Sequence, residues 1–446
     1  MTRIFAWIAA LMLAAPSIAM AQQVVATPPA APVVAAEALK ARIAQLPAIL
    51  AGTADYDEYF SPEFRAQVPK EKFAAINAQL AAAGGAVTGI EKVTPRSPWS
   101  AEVDLGFQNG VGTIRIAVDQ AAPNHVTGLL FTGFSGREKT LDAVSAAIHA
   151  LPGRSGFAYA RLGDGAPQLL MSSNADQPFA IGSAFKLVIL AELVRATNAG
   201  ERHWDDKVTI DGKPLPGGTY TMMPTGTQFT LREIAGKMIS ISDNSATDIL
   251  LRLVGRARVE AMLPVVGIAR PAALRPFMGT LDMFKLKGVP GLAQRYLALD
   301  EAGRRRLLDG EVANLPLTAI SPDLFKDGKP LMIDTLEWFE TPADLVRVMD
   351  WIRRNTASGP GAEARAILSI NHGIPAPVVQ RWQYVGYKGG SEPGVINMTL
   401  LLQAKDNGWY VITGSWNNTA AAVEDGRFAG LIGKAAELAA PGAPAP

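Results

Sequence analysis

An α+β chain of two folded units is the architecture predicted here, and three features predict it. The 446 residues exceed what one compact core usually holds, and 48% hydrophobic against 19% charged residues is a globular balance. Between about Glu37 and Phe134, helical spacing comes first and alternating apolar segments follow. Between about Arg137 and Leu438, strand-like runs open and close the segment around a mainly helical middle. Helices and strands segregated in this way are an α+β pattern.

In the first unit, EALKARIAQLPAIL and KEKFAAINAQLAAAGG carry helical spacing, the second stopped by Gly84-Gly85. Three alternating segments follow, SAEVDLGFQ, GTIRIAVDQ and HVTGLLFTG, separated by Asn-Gly and Pro-Asn turn signals. This order resembles the cone-shaped NTF2-like, steroid-isomerase-like domains. Isomerase chemistry would need a buried carboxylate base facing hydrogen-bond donors. Asp57, Asp104 and Tyr59 are available, but nothing in their spacing is diagnostic, and a binding or scaffolding role is the plainer reading.

The second unit begins with the amphipathic KTLDAVSAAIHALPG and the strand-like GFAYARL and PQLLMSS. It ends with WQYVGYKGG, VINMTLLLQA and WYVITGSW, then a helix, AAAVEDGRFAGLIGKAAELA. Strands from both ends are expected to pair into one sheet flanked by helices, an α/β sandwich with a helical lobe inserted.

Outside these units, residues 1–21 read as an export signal. Arg3 supplies the positive start, Ile4 to Ala15 the apolar run, and Ala19-Met20-Ala21 the small-x-small cleavage site. The run is shorter than the ~20 residues a bilayer span needs, so no stable membrane span is expected after cleavage. A Pro/Ala-rich linker over 22–36, an isomerase-like domain over 37–135, a catalytic domain over 136–438 and a Pro-rich tail over 439–446 complete the division. A periplasmic or secreted protein is expected.

Composition narrows the chemistry. A net charge of +1 argues against nucleic acid as partner. Cysteine is absent, which removes thiol nucleophiles and thiolate metal sites. The four histidines, His125, His149, His203 and His372, stand at no metal-ligand spacing, and no metal or cofactor is expected. A small-molecule substrate remains as the partner.

Three motifs then carry the argument. Ser183-Ala184-Phe185-Lys186 precedes LVILAELVRATNAG, so its Ser and Lys share one face of a helix start. A lysine held in a dry site can lose its proton and act as base. Ser242-Asp243-Asn244 falls at a break between two helical segments, where a hydroxyl can shuttle a proton and an amide can hold a substrate. Alone, an N-cap with Asp-Asn turn chemistry accounts for it equally. Lys388-Gly389-Gly390-Ser391 ends a strand, pairing a cation with two glycines that let a backbone edge approach a ligand. Ser183 and Ser242 stand 59 apart (242 − 183), and Lys388 comes 146 later (388 − 242).

In this order, S-x-x-K, S-D-N and K-x-G resemble the signature of penicillin-binding proteins and class A β-lactamases. TGTQFTLREIAGKMISISDNSATDILLRLVG and the later ETPADLVRVMDWI are also similar to class A segments, so the resemblance covers roughly residues 138 to 438. It implies a β-lactamase/transpeptidase-like fold and a serine hydrolase acting on β-lactams or related cyclic amides and esters. A D-Ala-D-Ala peptidase or transferase, or a penicillin sensor that acylates and stalls, are the alternatives. It further implies Ser183 as nucleophile, Lys186 as base and Ser242 as proton relay. Asn244 and Lys388 would bind the substrate amide and carboxylate, and Gly390-Ser391 would complete the site, with an oxyanion hole from the N–H groups of Ser183 and Ser391.

Two departures stand out. Gly389 replaces the family's Thr or Ser, and no Glu-x-x-Leu-Asn of an Ω-loop lies between Asn244 and Thr341. Asp282, Glu301 and the imperfect Glu311–Asn314 echo are the candidates left for a deacylating carboxylate. An isomerase-like domain joined to such a hydrolase is also similar to the β-lactamase-related proteins of clavulanic-acid gene clusters.

Overall fold

A computed structural model describes residues 33–441, so the expected signal segment and most of the linker and tail lie outside the described residues. The chain divides between Phe134 and Ser135 into two compact units.

Among the described residues, the first unit holds five helices and a four-stranded sheet. The helices are α1 (Glu37–Ala44), α2 (Leu46–Leu50), α3 (Tyr56–Tyr59), α4 (Pro62–Gln67) and α5 (Lys70–Gly84). The strands β1 (Val87–Ser97), β2 (Ser100–Phe107), β3 (Gly110–Val118) and β4 (Val126–Ser135) pair in sequence order. Leu39, Ile43 and Leu46 pack with Tyr59 and Phe60 over Val103, Leu105, Ile114 and Ile116. Strand β1 was not foreseen. It has no fully buried position, carries Pro95 and Gly89, and shifts register three times against β2, so it shows no apolar alternation.

The second unit opens with α6 (Leu141–His149), β5 (Arg154–Leu162), β6 (Gln168–Ser173) and the short β7 (Phe179–Ala180). A 3₁₀ turn (Gly182–Phe185) leads into α7 (Lys186–Asn198). The helical lobe contains a small ribbon, β8 (Lys207–Thr209) with β9 (Gln228–Thr230), then α8 (Leu231–Ser240), α9 (Asn244–Val254) and α10 (Arg256–Val265). In place of a simple loop come α11 (Thr280–Gly288), α12 (Leu292–Leu297) and α13 (Glu301–Leu307). The chain returns through β10 (Phe339–Glu340), α14 (Pro342–Asn355), α15 (Ala362–Leu368) and α16 (Ala376–Val379). It finishes with β11 (Tyr384–Glu392), β12 (Val395–Gln403), β13 (Trp409–Asn417) and α17 (Asp425–Ala439).

Strands from both ends form one antiparallel sheet, ordered β11-β12-β13-β5-β6. Alternation decides its faces. Phe157 and Tyr159 of β5, with Met398, Leu400 and Leu402 of β12, pack toward α6 and α17. Ala158, Ala160 and Leu162, with Leu401 and Val411, pack toward α7, α9 and α14. A sheet covered on both faces has few wet positions, so its polar groups pair internally. Asn397 donates to Ser415 Oγ at 2.9 Å, and the Thr399 and Thr413 hydroxyls meet at 2.8 Å.

Glu340 is among the buried groups that escape that rule. Opposite Phe179 in the β7–β10 pair, it has both carboxyl oxygens buried with no hydrogen-bond partner. Burial, then the nearby Asp344, push it up to about 8. An acid whose folded pKa is raised loses stability as pH climbs from its unfolded value to its folded one. The contribution of Glu340 to the urea midpoint should therefore fall between about pH 5 and 8, and Glu340→Gln should remove that part of the pH dependence. An unchanged slope in the variant would assign the trend to other groups.

Candidate active site

The site is built where α7 begins. In a 3₁₀ turn, side chains at i and i+3 eclipse, and the turn Gly182–Phe185 hands over directly to Lys186 as the first residue of α7. Ser183 and Lys186 therefore lie on the same side of the chain. The Phe185 ring anchors this turn, stacking on Trp338 at 3.9 Å between centroids and meeting Phe277 edge-on. Ser183 is partly exposed, and its hydroxyl makes no hydrogen bond among the described residues.

Lys186 is wholly buried. Its Nζ donates to Ser242 O at 2.7 Å and Asn244 Oδ1 at 2.8 Å, and stands 3.2 Å from Ser242 Oγ. Three acceptors match the three protons of an ammonium. Burial nevertheless lowers Lys186 to about 7, with Asp248 and Asp243 pulling the other way. Near neutral pH the amine is thus shared between its two protonation states, as a general base requires.

Ser242 reaches this position through strain. It is the middle residue of the break between α8 and α9 and lies in the left-handed region, φ 57°, which non-glycine residues seldom adopt. Asp243 fixes the break as N-cap of α9. Burial raises its carboxyl, but the bonds it accepts from Ser245, Thr219 and Ala246 win, and it titrates below its ordinary value.

Lys388 approaches Ser242 from β11, its Nζ 3.0 Å from the same Oγ. Burial, and then the adjacent Lys186, hold it well below the ordinary lysine value. Two amines on one hydroxyl disfavour double protonation.

The K-G-G-S segment does not end its strand. β11 continues through Lys388–Ser391 to Glu392, in unbroken register with β12. The glycines explain why this continuation is needed. A side chain at Gly390 would collide with Ile181 O and the Ser183 and Ala184 amides, and one at Gly182 would come within 3.0 Å of Ser391 N. The strand edge is therefore pressed against the turn bearing Ser183. At Gly389 a Cβ would strike the Tyr387 hydroxyl and stand 2.9 Å from Asn397 O. Tyr387 fills the space that a Thr or Ser there would need. Beyond Ser391, Glu392 is tied to α11 through the buried Lys287, which donates to Glu392 at 2.6 Å and Glu337 at 2.8 Å.

A family model described as the beta-lactamase enzyme family matches residues 137–437. The chain belongs to that family. Among solved structures, this β-lactamase-family protein is similar to a β-lactamase of Sphaerobacter thermophilus, at 21% identity and TM-score 0.45 over 66% of this chain and 94% of the other. One from Chitinophaga pinensis gives 18% and 0.44, over 67% and 96%. PBP-A gives 17% and 0.45, over 67% and 93%. No curated protein matches.

The structure thus brings Lys186 and Lys388 onto the Ser242 hydroxyl and Asn244 onto the Lys186 amine, with Ser183, Gly390 and Ser391 at the adjoining turn and strand edge. The expected deacylating carboxylates are placed otherwise. Asp282 caps α11 and pairs with Arg256 at 3.1 Å. Glu301 pairs with Arg305, and Glu311 with Arg295, both largely exposed. Sequence reasoning missed Asp248 and Tyr387. Asp248 follows Asn244 by four residues on α9, a spacing that puts both on one helix face.

Proposed function

We propose that the second unit opens β-lactams through an acyl-enzyme on Ser183, with Lys186 as the base. The observation that carries this reading is the buried Lys186 amine, held by Ser242 and Asn244 one 3₁₀ turn beyond the serine. In its neutral form Lys186 takes the Ser183 proton, and Oγ attacks the lactam carbonyl. The C–N bond breaks, and the leaving nitrogen takes a proton from Ser242 Oγ, which Lys186 replenishes. The backbone N–H groups of Ser183 and Ser391 receive the developing oxyanion, where one such donor contributes ~3–4 kcal/mol.

Lys388 is suited to the substrate carboxylate, and its coupling to Lys186 has a consequence for the base. A carboxylate beside Lys388 favours its ammonium form, which repels a second proton on Lys186. Substrate binding itself thus leaves Lys186 in the form that acts as base. The test is intact-mass spectrometry after mixing with penicillin G. An adduct of one full penicillin mass, absent from a Ser183→Ala variant, is the expected result, and no adduct at any time together with no hydrolysis of the penicillin sinks the reading. A stalled penicillin sensor remains the second reading. It is favoured by the arginine pairing of Asp282, Glu301 and Glu311.

Gly390→Ala gives a further check. Its new methyl group meets backbone atoms that have no rotamer to yield. Displacing β11 from the turn by a fraction of an ångström is expected to lower acylation roughly 10²-fold. An acylation rate near wild type would show that the Ser391 edge takes no part.

Residues 1–21 suit an export signal, and we extend the proposal to a periplasmic or secreted protein with a role in antibiotic resistance. For the first unit, the helices over a four-stranded antiparallel sheet support the NTF2-like reading, and the pairing of domains supports kinship with the clavulanic-cluster proteins. A binding role suits it better than isomerase catalysis. Asp57 is exposed against Arg65, Asp104 accepts from Thr113, and the Tyr59 hydroxyl is spent on Arg42 O.

A further inference from the structure

Hydrolysis of an acyl-enzyme needs a second base or a second turn of the first, and the groups around α11 suggest which. Asp248 is fully buried and receives the Thr280 amide on Oδ1 at 2.7 Å and the Leu281 amide on Oδ2 at 2.9 Å. It thereby docks the start of α11 onto α9. The preceding segment is pinned on its other side, because Met278 O accepts from Trp338 Nε1 at 3.1 Å while Trp338 stacks on Phe185. The first turn of α11 is thus wedged between the ring beside Lys186 and the helix face that carries Asn244. At this place the Thr280 side chain, 4% exposed, has a hydroxyl buried without any hydrogen-bond partner. A buried orphan hydroxyl next to a carboxylate with free lone pairs is the pair of groups that fixes one water molecule.

We propose that Asp248 and Thr280 hold and activate the water that releases the acyl group from Ser183, in place of the absent Ω-loop glutamate. This rests on the acyl-enzyme reading above. Water oxygen bonds to the ester carbonyl carbon as its proton passes to the Asp248 carboxylate. The tetrahedral intermediate then collapses, and its bond to Ser183 Oγ breaks. The proton returns from Asp248 through the neighbouring Lys186 amine to Ser183 Oγ, and the products are the free acid and the intact serine.

The electrostatic setting fits a base. Burial, and next Asp282, push Asp248 up to about 6, against the two amide bonds and Arg252 of its own helix. Lys186 faces it from α7, while Asp282 and Lys285 face it from α11. Arg256 of α10 partly balances Asp282. Release should accordingly rise with pH through about 6, as the carboxylate forms.

Stopped-flow burst kinetics and timed intact-mass spectra with penicillin G test the proposal. In Asp248→Asn, acylation should stay within about threefold of wild type while release falls ~10²–10⁴-fold, loses its acid limb and leaves a lasting adduct. Thr280→Val guards against a folding artefact. It removes no hydrogen bond within the protein, so its thermal midpoint should hold while release slows by at least about tenfold. Release at the wild-type rate in either variant overturns the proposal, as does a parallel fall of both steps. A wild-type protein that acylates and never recovers overturns it while sparing Ser183 as nucleophile. A wild type that never acylates overturns both.

Discussion

Ser183→Ala is expected to reduce β-lactam turnover by roughly 10³–10⁶-fold, the range in which a lost nucleophile leaves only the binding and oxyanion contributions. The Ser183 hydroxyl bonds to nothing among the described residues, so removing it strands no partner and breaks no network. Lys186 keeps its contacts to Ser242 and Asn244, because neither runs through Ser183. The variant should melt within a degree or two of wild type and still bind a β-lactam non-covalently. Chromogenic turnover, a melting curve and binding of penicillin G check the three points together. Turnover above a few per cent of wild type in a variant of unchanged stability would reassign the nucleophile.

How far such a site can be read from sequence depends on what holds each part. The S-x-x-K pair is local. Two residues three positions apart in one turn share a side whatever surrounds them, and the apolar LVILAELV that follows leaves little room except burial. The S-D-N break is local too, because Asp243 caps α9 with its own side chain. The antiparallel sheet followed from apolar runs at the two ends of the domain. Asp248 is different. Its i+4 relation to Asn244 was visible, but what makes it matter is α11, tens of residues away, donating two amides to it. Gly389 read as a lost hydroxyl, whereas the cause lies two residues back in the Tyr387 phenol that occupies its space. β11 was expected to stop at its glycines, since glycine weakens a strand. Here the strand persists because β12 pairs with every residue of it and the turn at Ser183 demands a bare edge.

Lys186→Met should abolish acylation almost as fully as loss of the serine, by ~10³–10⁴-fold, and its pH behaviour separates base from bystander. Only the neutral amine can accept the Ser183 proton, so wild-type acylation should rise with pH and level off above about 7, where burial has placed this lysine. The variant should be slow and flat across the same range. Stability gives an independent reading of that pKa. The unfolded chain holds the lysine proton up to about 10.5, whereas the folded protein releases it near 7. Between these values the unfolded state binds more protons, so wild-type stability gains with rising pH. Methionine carries no such proton. The difference between variant and wild type in urea midpoints should therefore be most favourable to the variant below pH 7 and shrink toward pH 10, and relief of Lys388 from the neighbouring charge acts in the same direction. A constant difference across that range would mean that Lys186 keeps its proton in the folded state. The base for Ser183 would then have to be sought in Ser242 Oγ, polarised between the two ammonium groups.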